Sequence, residues 1–193
     1  IRIAIQKKGR MQAQSLKFLK SLGLWFEKNG KKLIIPCKNA NVELLFVRNS
    51  DIPEYVKGEV ADFGIVGENL LREKNYKLET IKKLGFGKCS LVIAAPKRVM
   101  GLDGERIATS YPNSLKSYLK SKKINASIIE IKGSVEIAPS LNLADAICDI
   151  TQTGKTLREN GLFQIEKIMD SQAVLIKSPG TSNEKLAYFN KFL

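Results

Sequence analysis

Ala146-Ile147-Cys148-Asp149-Ile150-Thr151-Gln152-Thr153-Gly154-Lys155-Thr156-Leu157 runs from an apolar stretch, through a turn rich in hydroxyls, into a helical pattern. A short apolar run closed by turn residues predicts a buried strand. Its end delivers one carboxylate, Asp149, beside Thr151. Gly154 lets the backbone come close to a ligand. Successive N–H groups at the start of a helix then offer an anion cradle. Thr153, Lys155 and Thr156 add donors, and Asp149 is placed to accept from ribose hydroxyls. A capped helix start behind a core strand would use the same residues with no ligand. Gly154-Lys155-Thr156 also ends a Walker A loop, but that loop needs a glycine where Asp149 stands, so it is rejected.

Outward from this stretch, strands alternate with helices. Strands are expected at Ile1–Gln6, Lys32–Pro36, Val42–Val47, Ala61–Val66, Lys88–Ala95, Arg106–Thr109, Ala126–Ile131, Ala144–Ile150 and Gln172–Lys177. Helices are expected at Gln12–Leu22, after Asp51 with Pro53 in the first turn, from Glu68, and at Asn113–Ser121, Thr156–Asn160 and Glu184–Leu193. Such alternation predicts an α/β architecture with mostly parallel sheets. Pro96, Gly101 and Gly104 mark Ala94–Glu105 as a crossover, with a return near Ile165–Ser171. The expected division is 1–94 with 170–193 as one lobe and 95–169 as the other, with a cleft between them.

Composition narrows the chemistry. The chain lacks histidine, which removes Ser-His-Asp and Cys-His nucleophile schemes and histidine-rich metal sites. Cys37, Cys89 and Cys148 are scattered and odd in number, so neither a disulfide framework nor a zinc site is expected, and a reducing cytoplasm fits best. No run approaches the roughly 20 apolar residues of a membrane helix, and the start lacks a signal-peptide cleavage site. A net charge of +13 favours anionic partners. Basic runs interleaved with aromatics are missing, so nucleic acid is not the expected partner.

Other motifs stand in order around the loop. They are Gln6-Lys7-Lys8-Gly9-Arg10, Val47-Arg48 with Asp51-Ile52-Pro53, and Val60-Ala61-Asp62-Phe63-Gly64-Ile65-Val66-Gly67-Glu68-Asn69. Then come Leu84-Gly85-Phe86-Gly87-Lys88-Cys89, Arg106-Ile107-Ala108-Thr109-Ser110-Tyr111-Pro112, Gly133-Ser134-Val135-Glu136-Ile137-Ala138-Pro139 and Leu157-Arg158 with Asn160-Gly161-Leu162. The Asp149–Thr156 loop resembles the phosphoribosyl pyrophosphate loop of phosphoribosyltransferases. It departs from the many members with two adjacent acids, since Cys148 precedes Asp149. The ordered set resembles the ATP phosphoribosyltransferase family along essentially the whole chain.

That resemblance implies two α/β lobes of the periplasmic-binding-protein type. It implies transfer of phosphoribosyl from phosphoribosyl pyrophosphate to N1 of ATP, the first step of histidine biosynthesis, with magnesium carried on substrate phosphates and no direct protein ligand to it. Asp149, Thr151, Thr153, Gly154, Lys155, Thr156 and Glu136 are then expected at phosphoribosyl pyrophosphate. Lys8, Gly9, Arg10, Arg48, Ser110 and Tyr111 are expected at ATP. Lys8, Arg10 and Lys31 are the cations expected to assist the leaving diphosphate, with Lys32 beside Lys31. Arg48 could instead pair with Asp51, Glu136 could complete a helix cap, and Tyr111 could be structural. Asp62 reads as a structural carboxylate that ties off backbone donors.

Long members of the family carry a C-terminal regulatory domain. Short members pair with a regulatory protein resembling histidyl-tRNA synthetase. This sequence stops before such a domain, as expected of a natural short form or of a long form cut after Leu193, and an oligomer is expected in either case. Two other classes would fit parts of the sequence: a solute-binding module on the same fold, and a nucleic-acid binder, which would show steep salt dependence.

Overall fold

The computed structural model describes residues 1–27 and 32–193. Lys31 lies outside the described residues. The chain divides into two units, Ile1–Leu71 with Asn75–Gly87 and Gln172–Leu193, and Arg72–Lys74 with Lys88–Ser171.

The first unit is built on a six-stranded sheet in the order β2-β3-β1-β4-β11-β5. Its strands are β1 (Arg2–Gln6), β2 (Ile34–Pro36), β3 (Glu43–Val47), β4 (Phe63–Gly67), β5 (Glu79–Lys83) and β11 (Ala173–Lys177). β1 runs parallel to β3 and β4, and β11 lies antiparallel between β4 and β5. Successive side chains leave opposite faces of a strand. Ile3, Ile5, Leu44, Phe46, Phe63 and Ile65 therefore pack on one face with Leu19 of α1 (Arg10–Ser21) and Phe189 of α6 (Asn183–Asn190). Ala4, Leu45, Val47 and Val66 pack on the other with Ile52 and Val56 of α2 (Ile52–Lys57) and Leu71 of α3 (Glu68–Glu73). Burial on both faces explains why these strands read as continuous apolar runs. Gly64 sets the approach of α2: a Cβ there would lie 2.8 Å from methyls of both Ile52 and Val56.

The second unit carries a five-stranded sheet in the order β10-β6-β9-β7-β8. Its strands are β6 (Cys89–Ala95), β7 (Arg106–Thr109), β8 (Ser127–Glu130), β9 (Ala146–Thr151) and β10 (Phe163–Ser171). β7 is parallel to β8 and β9, and β6 is antiparallel to β9 and β10. Leu115 and Leu119 of α4 (Pro112–Lys122) cover Leu91, Ile93, Ile107 and Cys148. Leu157 of α5 (Lys155–Glu159), with Leu162, Val135 and Ala138, covers Val92, Ala94, Ala108 and Ile147.

Several expectations shift. β6 pairs with β9 and β10, so the chain passes into the second unit at Lys88 rather than within Ala94–Glu105, and returns at Gln172. An apolar strand does not declare its sheet; its partners do. Ile165–Ser171, read as the return, belongs to the nine-residue strand β10. β5 was not foreseen, because Glu-Thr-Ile-Lys-Lys lacks an apolar pattern and most of it is exposed. Asp51 occupies the cap position of α2 but makes no cap bond; its Oδ1 accepts from Ser50 Oγ at 2.7 Å. Glu136 lies in a 3₁₀ turn, Val135–Ile137, and the side chain of Ser134 does not cap it.

Asp62 is structural. Its carboxylate accepts from the Arg2 amide at 2.8 Å and from Lys185 Nζ at 2.7 Å, while its carbonyl accepts from Ser178 N and Thr181 Oγ1.

Candidate active site

In the second unit, β9 ends at Thr151 and α5 begins at Lys155. Between them Gly154 has φ +69, the left-handed region that favours glycine. The turn holds itself by its own hydroxyls. Thr151 Oγ1 accepts from the Gly154 amide at 2.9 Å, and Thr153 Oγ1 from the Lys155 amide at 3.4 Å. Arg158 Nη1 reaches back to the Thr153 carbonyl at 3.1 Å. Lys155 forms an exposed pair with Glu159 at 3.7 Å, and Thr156 is exposed. A cavity of about 400 Å³ opens beside the turn, lined by Thr151 to Gly154, Leu157, Arg158, Ser90 and Phe163 among others. Arg158 belongs to the motif quoted after the loop, whereas Ser90 and Phe163 had no signal in the sequence; β6 and β10 bring those two to the cavity.

Asp149 and Cys148 leave opposite faces of β9. Cys148 is fully buried in the α4 side of the core, and burial pushes its thiol up to about 12. A second acid there would be an unpaired buried charge, which explains the single carboxylate. Asp149 is half-buried on the other face. Burial raises its pKa, the Ile150 amide at 2.7 Å offsets part of that, and the charge of Glu136 raises it further. Glu136 and Asp149, far apart in sequence, are thus electrostatic neighbours.

Ser110 and Tyr111 join β7 to α4. Ser110 Oγ donates to the Ile131 carbonyl at 2.7 Å, and Tyr111 is partly buried against the α4 core. The α4 N-terminus lacks a cap of its own. Glu73, only 6% exposed, supplies one: its carboxylate accepts from the amides of Asn113 at 2.9 Å and Ser114 at 2.8 Å. The sequence hid this acid at the end of an ordinary helical pattern.

In the first unit, Lys8, Gly9 and Arg10 follow β1 directly, and all are exposed. Gly9 takes φ +93 to turn the chain into α1. Gln6 pairs with Val47, and the Lys7 amide donates to the Val47 carbonyl at 2.7 Å. Arg48, the next residue, therefore lies at the adjacent strand end. It is exposed, and the ion pairs among the described residues include none between it and Asp51. These cations gather at the carboxyl ends of parallel strands, where α/β sheets bind ligands. Lys32 is exposed. Among the described residues, no His/Cys/Asp/Glu group is placed to hold a metal ion, and no helix is long and apolar enough to cross a membrane.

The family profile described as HisG: ATP phosphoribosyltransferase matches residues 48–193. An ATP phosphoribosyltransferase of Cytophaga hutchinsonii is 48% identical, the match covering 100% of this chain and 69% of that one. The chain belongs to the ATP phosphoribosyltransferase family.

A solved ATP phosphoribosyl transferase (HisG:HisZ) complex from Thermotoga maritima agrees with that membership. It is similar at a TM-score of 0.84 and 32% identity, covering 100% of this chain and 96% of that one. The periplasmic aliphatic sulphonate binding protein SsuA of Escherichia coli matches at a TM-score of 0.65 and 12% identity, covering 100% and 70%, which shows a shared fold. As an ATP phosphoribosyltransferase, the chain is a pentosyltransferase of histidine biosynthesis.

Proposed function

We propose that the β9–α5 turn holds the 5′-phosphate of phosphoribosyl pyrophosphate and that Asp149 holds its ribose. The observation that carries this is the turn itself, with Gly154 in the left-handed region and the Gly154 and Lys155 amides donating to the hydroxyls of the loop's own Thr151 and Thr153. Phosphate oxygens are stronger acceptors than hydroxyls, so they would take over those amides. Thr153 and Thr156 add hydroxyl donors, Lys155 adds charge, and Glu136 borders the ribose side.

Lys8, Gly9, Arg10 and Arg48 are proposed to receive the polyphosphate of ATP, and Ser110 and Tyr111 its adenine. Adenine N1 supplies the lone pair that forms the new bond to the anomeric carbon as the bond to pyrophosphate breaks. The chain need supply no nucleophile. Alignment of the two substrates, and cations facing the departing diphosphate, carry the catalysis. Lys8, Arg10 and Lys31 are proposed for that second role.

Magnesium is proposed to travel with the substrate phosphates and to offset their charge. A cytoplasmic location and a homo-oligomer complete the reading. The Thermotoga complex supplies the pattern for a separate HisZ-like regulatory subunit.

The test is an absorbance assay with ATP, phosphoribosyl pyrophosphate, magnesium and pyrophosphatase. Phosphoribosyl-ATP should form. Asp149→Ala and Thr153→Ala should each weaken phosphoribosyl pyrophosphate binding about tenfold in calorimetric titration, the scale of one or two charge-assisted hydrogen bonds. Unchanged affinity in both variants removes the loop assignment. A folded chain that binds neither substrate favours a solute-binding role instead.

A further inference from the structure

One hydroxyl in the second unit has both of its bonding directions committed, and neither substrate is needed to explain them. Thr109 is 0% exposed at the end of β7. Its Oγ1 donates to the Cys148 carbonyl at 2.7 Å and accepts from the Tyr111 amide at 2.8 Å. Cys148 immediately precedes Asp149, and β7 and β9 are already in register there, Thr109 opposite Cys148. The hydroxyl therefore ties the backbone of the Ser110–Tyr111 segment to the strand that carries Asp149. On its far side the same segment is fixed by Glu73, which takes the Asn113 and Ser114 amides and whose carbonyl accepts from Asn113 Nδ2 at 3.0 Å. A strand of this kind holds its sheet register through backbone bonds alone. The threonine hydroxyl adds a link that a valine of the same shape would lack.

We infer that Thr109 is a positioning residue for the transfer reaction, its hydroxyl setting the distance between the adenine-side segment Ser110–Tyr111 and the ribose-side carboxylate Asp149. The inference rests on the assignments proposed above. It goes beyond them in giving a buried residue that meets no substrate a role in aligning the two. Alignment acts on the chemical step more than on either binding step, because each substrate still finds its own contacts.

The experiment compares the parent with Thr109→Val and Thr109→Ser, at a temperature where circular dichroism shows all three folded. Thr109→Val should lower kcat about tenfold while the calorimetric Kd for each substrate stays within about threefold, the signature of lost alignment. Thr109→Ser, which restores the hydroxyl, should return kcat to within about twofold of the parent. If the valine variant does not fold, Thr109→Cys keeps the volume, weakens the link and carries the same expectation. Parent-like kcat in Thr109→Val or Thr109→Cys overturns the inference, as does a serine variant no faster than the valine one. Asp149→Ala run in parallel separates the two levels. Weak phosphoribosyl pyrophosphate binding there, with normal kcat in Thr109→Val, discards the role of Thr109 alone. Undiminished binding in Asp149→Ala discards the ribose role of Asp149 and this inference with it.

Discussion

Burial holds the Asp149 carboxyl above its ordinary value of 3.8, and Glu136 pushes it the same way. A raised carboxyl pKa means that the folded chain binds the proton more tightly than the unfolded chain. Ionised Asp149 therefore opposes folding at neutral pH, and the opposition fades as pH falls through the folded value. Asp149→Asn removes the charge and keeps an oxygen for the Ile150 amide. Its thermal midpoint at pH 7 should exceed that of the parent, and the gap should shrink as pH approaches 4, while phosphoribosyl pyrophosphate binds more weakly. Scanning calorimetry at several pH values checks the first part and titration the second. A stability cost of that kind is consistent with the ribose contact proposed for Asp149. Asp149 was legible in the sequence because an apolar run ended on it. Thr109 was not, because a threonine in a strand is ordinary and only the β7–β9 register reveals what its hydroxyl spans.

Elements were legible where burial wrote a pattern. Doubly buried strands such as β4 and β9 showed as apolar runs, and the amphipathic helices α1 and α4 showed by their stripes. β5, mostly exposed at the sheet edge, showed nothing, since its pairing with β11 rests on backbone bonds that charged side chains do not record. β10, mostly exposed, was read only as a return segment over Ile165–Ser171. The contact of α2 on β4 gives a prediction of its own. Gly64→Ala would force a methyl to within 2.8 Å of Ile52 and Val56 and 3.3 Å of Ile176. Overpacking of that kind costs about 1–3 kcal/mol, to be read as a lower urea midpoint. An alanine variant of parental stability would show that α2 moves away freely.

For the molecule as a whole, a net charge of +13 acts on substrates that are both polyanions. Exposed charges are screened beyond a Debye length of about 8 Å at physiological salt. Raising salt to about 0.5 M should therefore weaken both substrate affinities severalfold, measured by titration at two ionic strengths. Salt-independent binding would confine recognition to close contacts. The division of the chain was only partly legible, because the change of sheet between Gly87 and Lys88 falls inside a motif with no break in composition. The same division governs how the chain matures on the ribosome. The second unit is drawn almost wholly from one continuous stretch, Lys88–Ser171, whereas β11 lies inside the first sheet between β4 and β5. The earlier sheet must wait, with β5 unattached and one flank of β4 open, until the strand that closes it has been synthesised, so of these two units the one begun first is completed second.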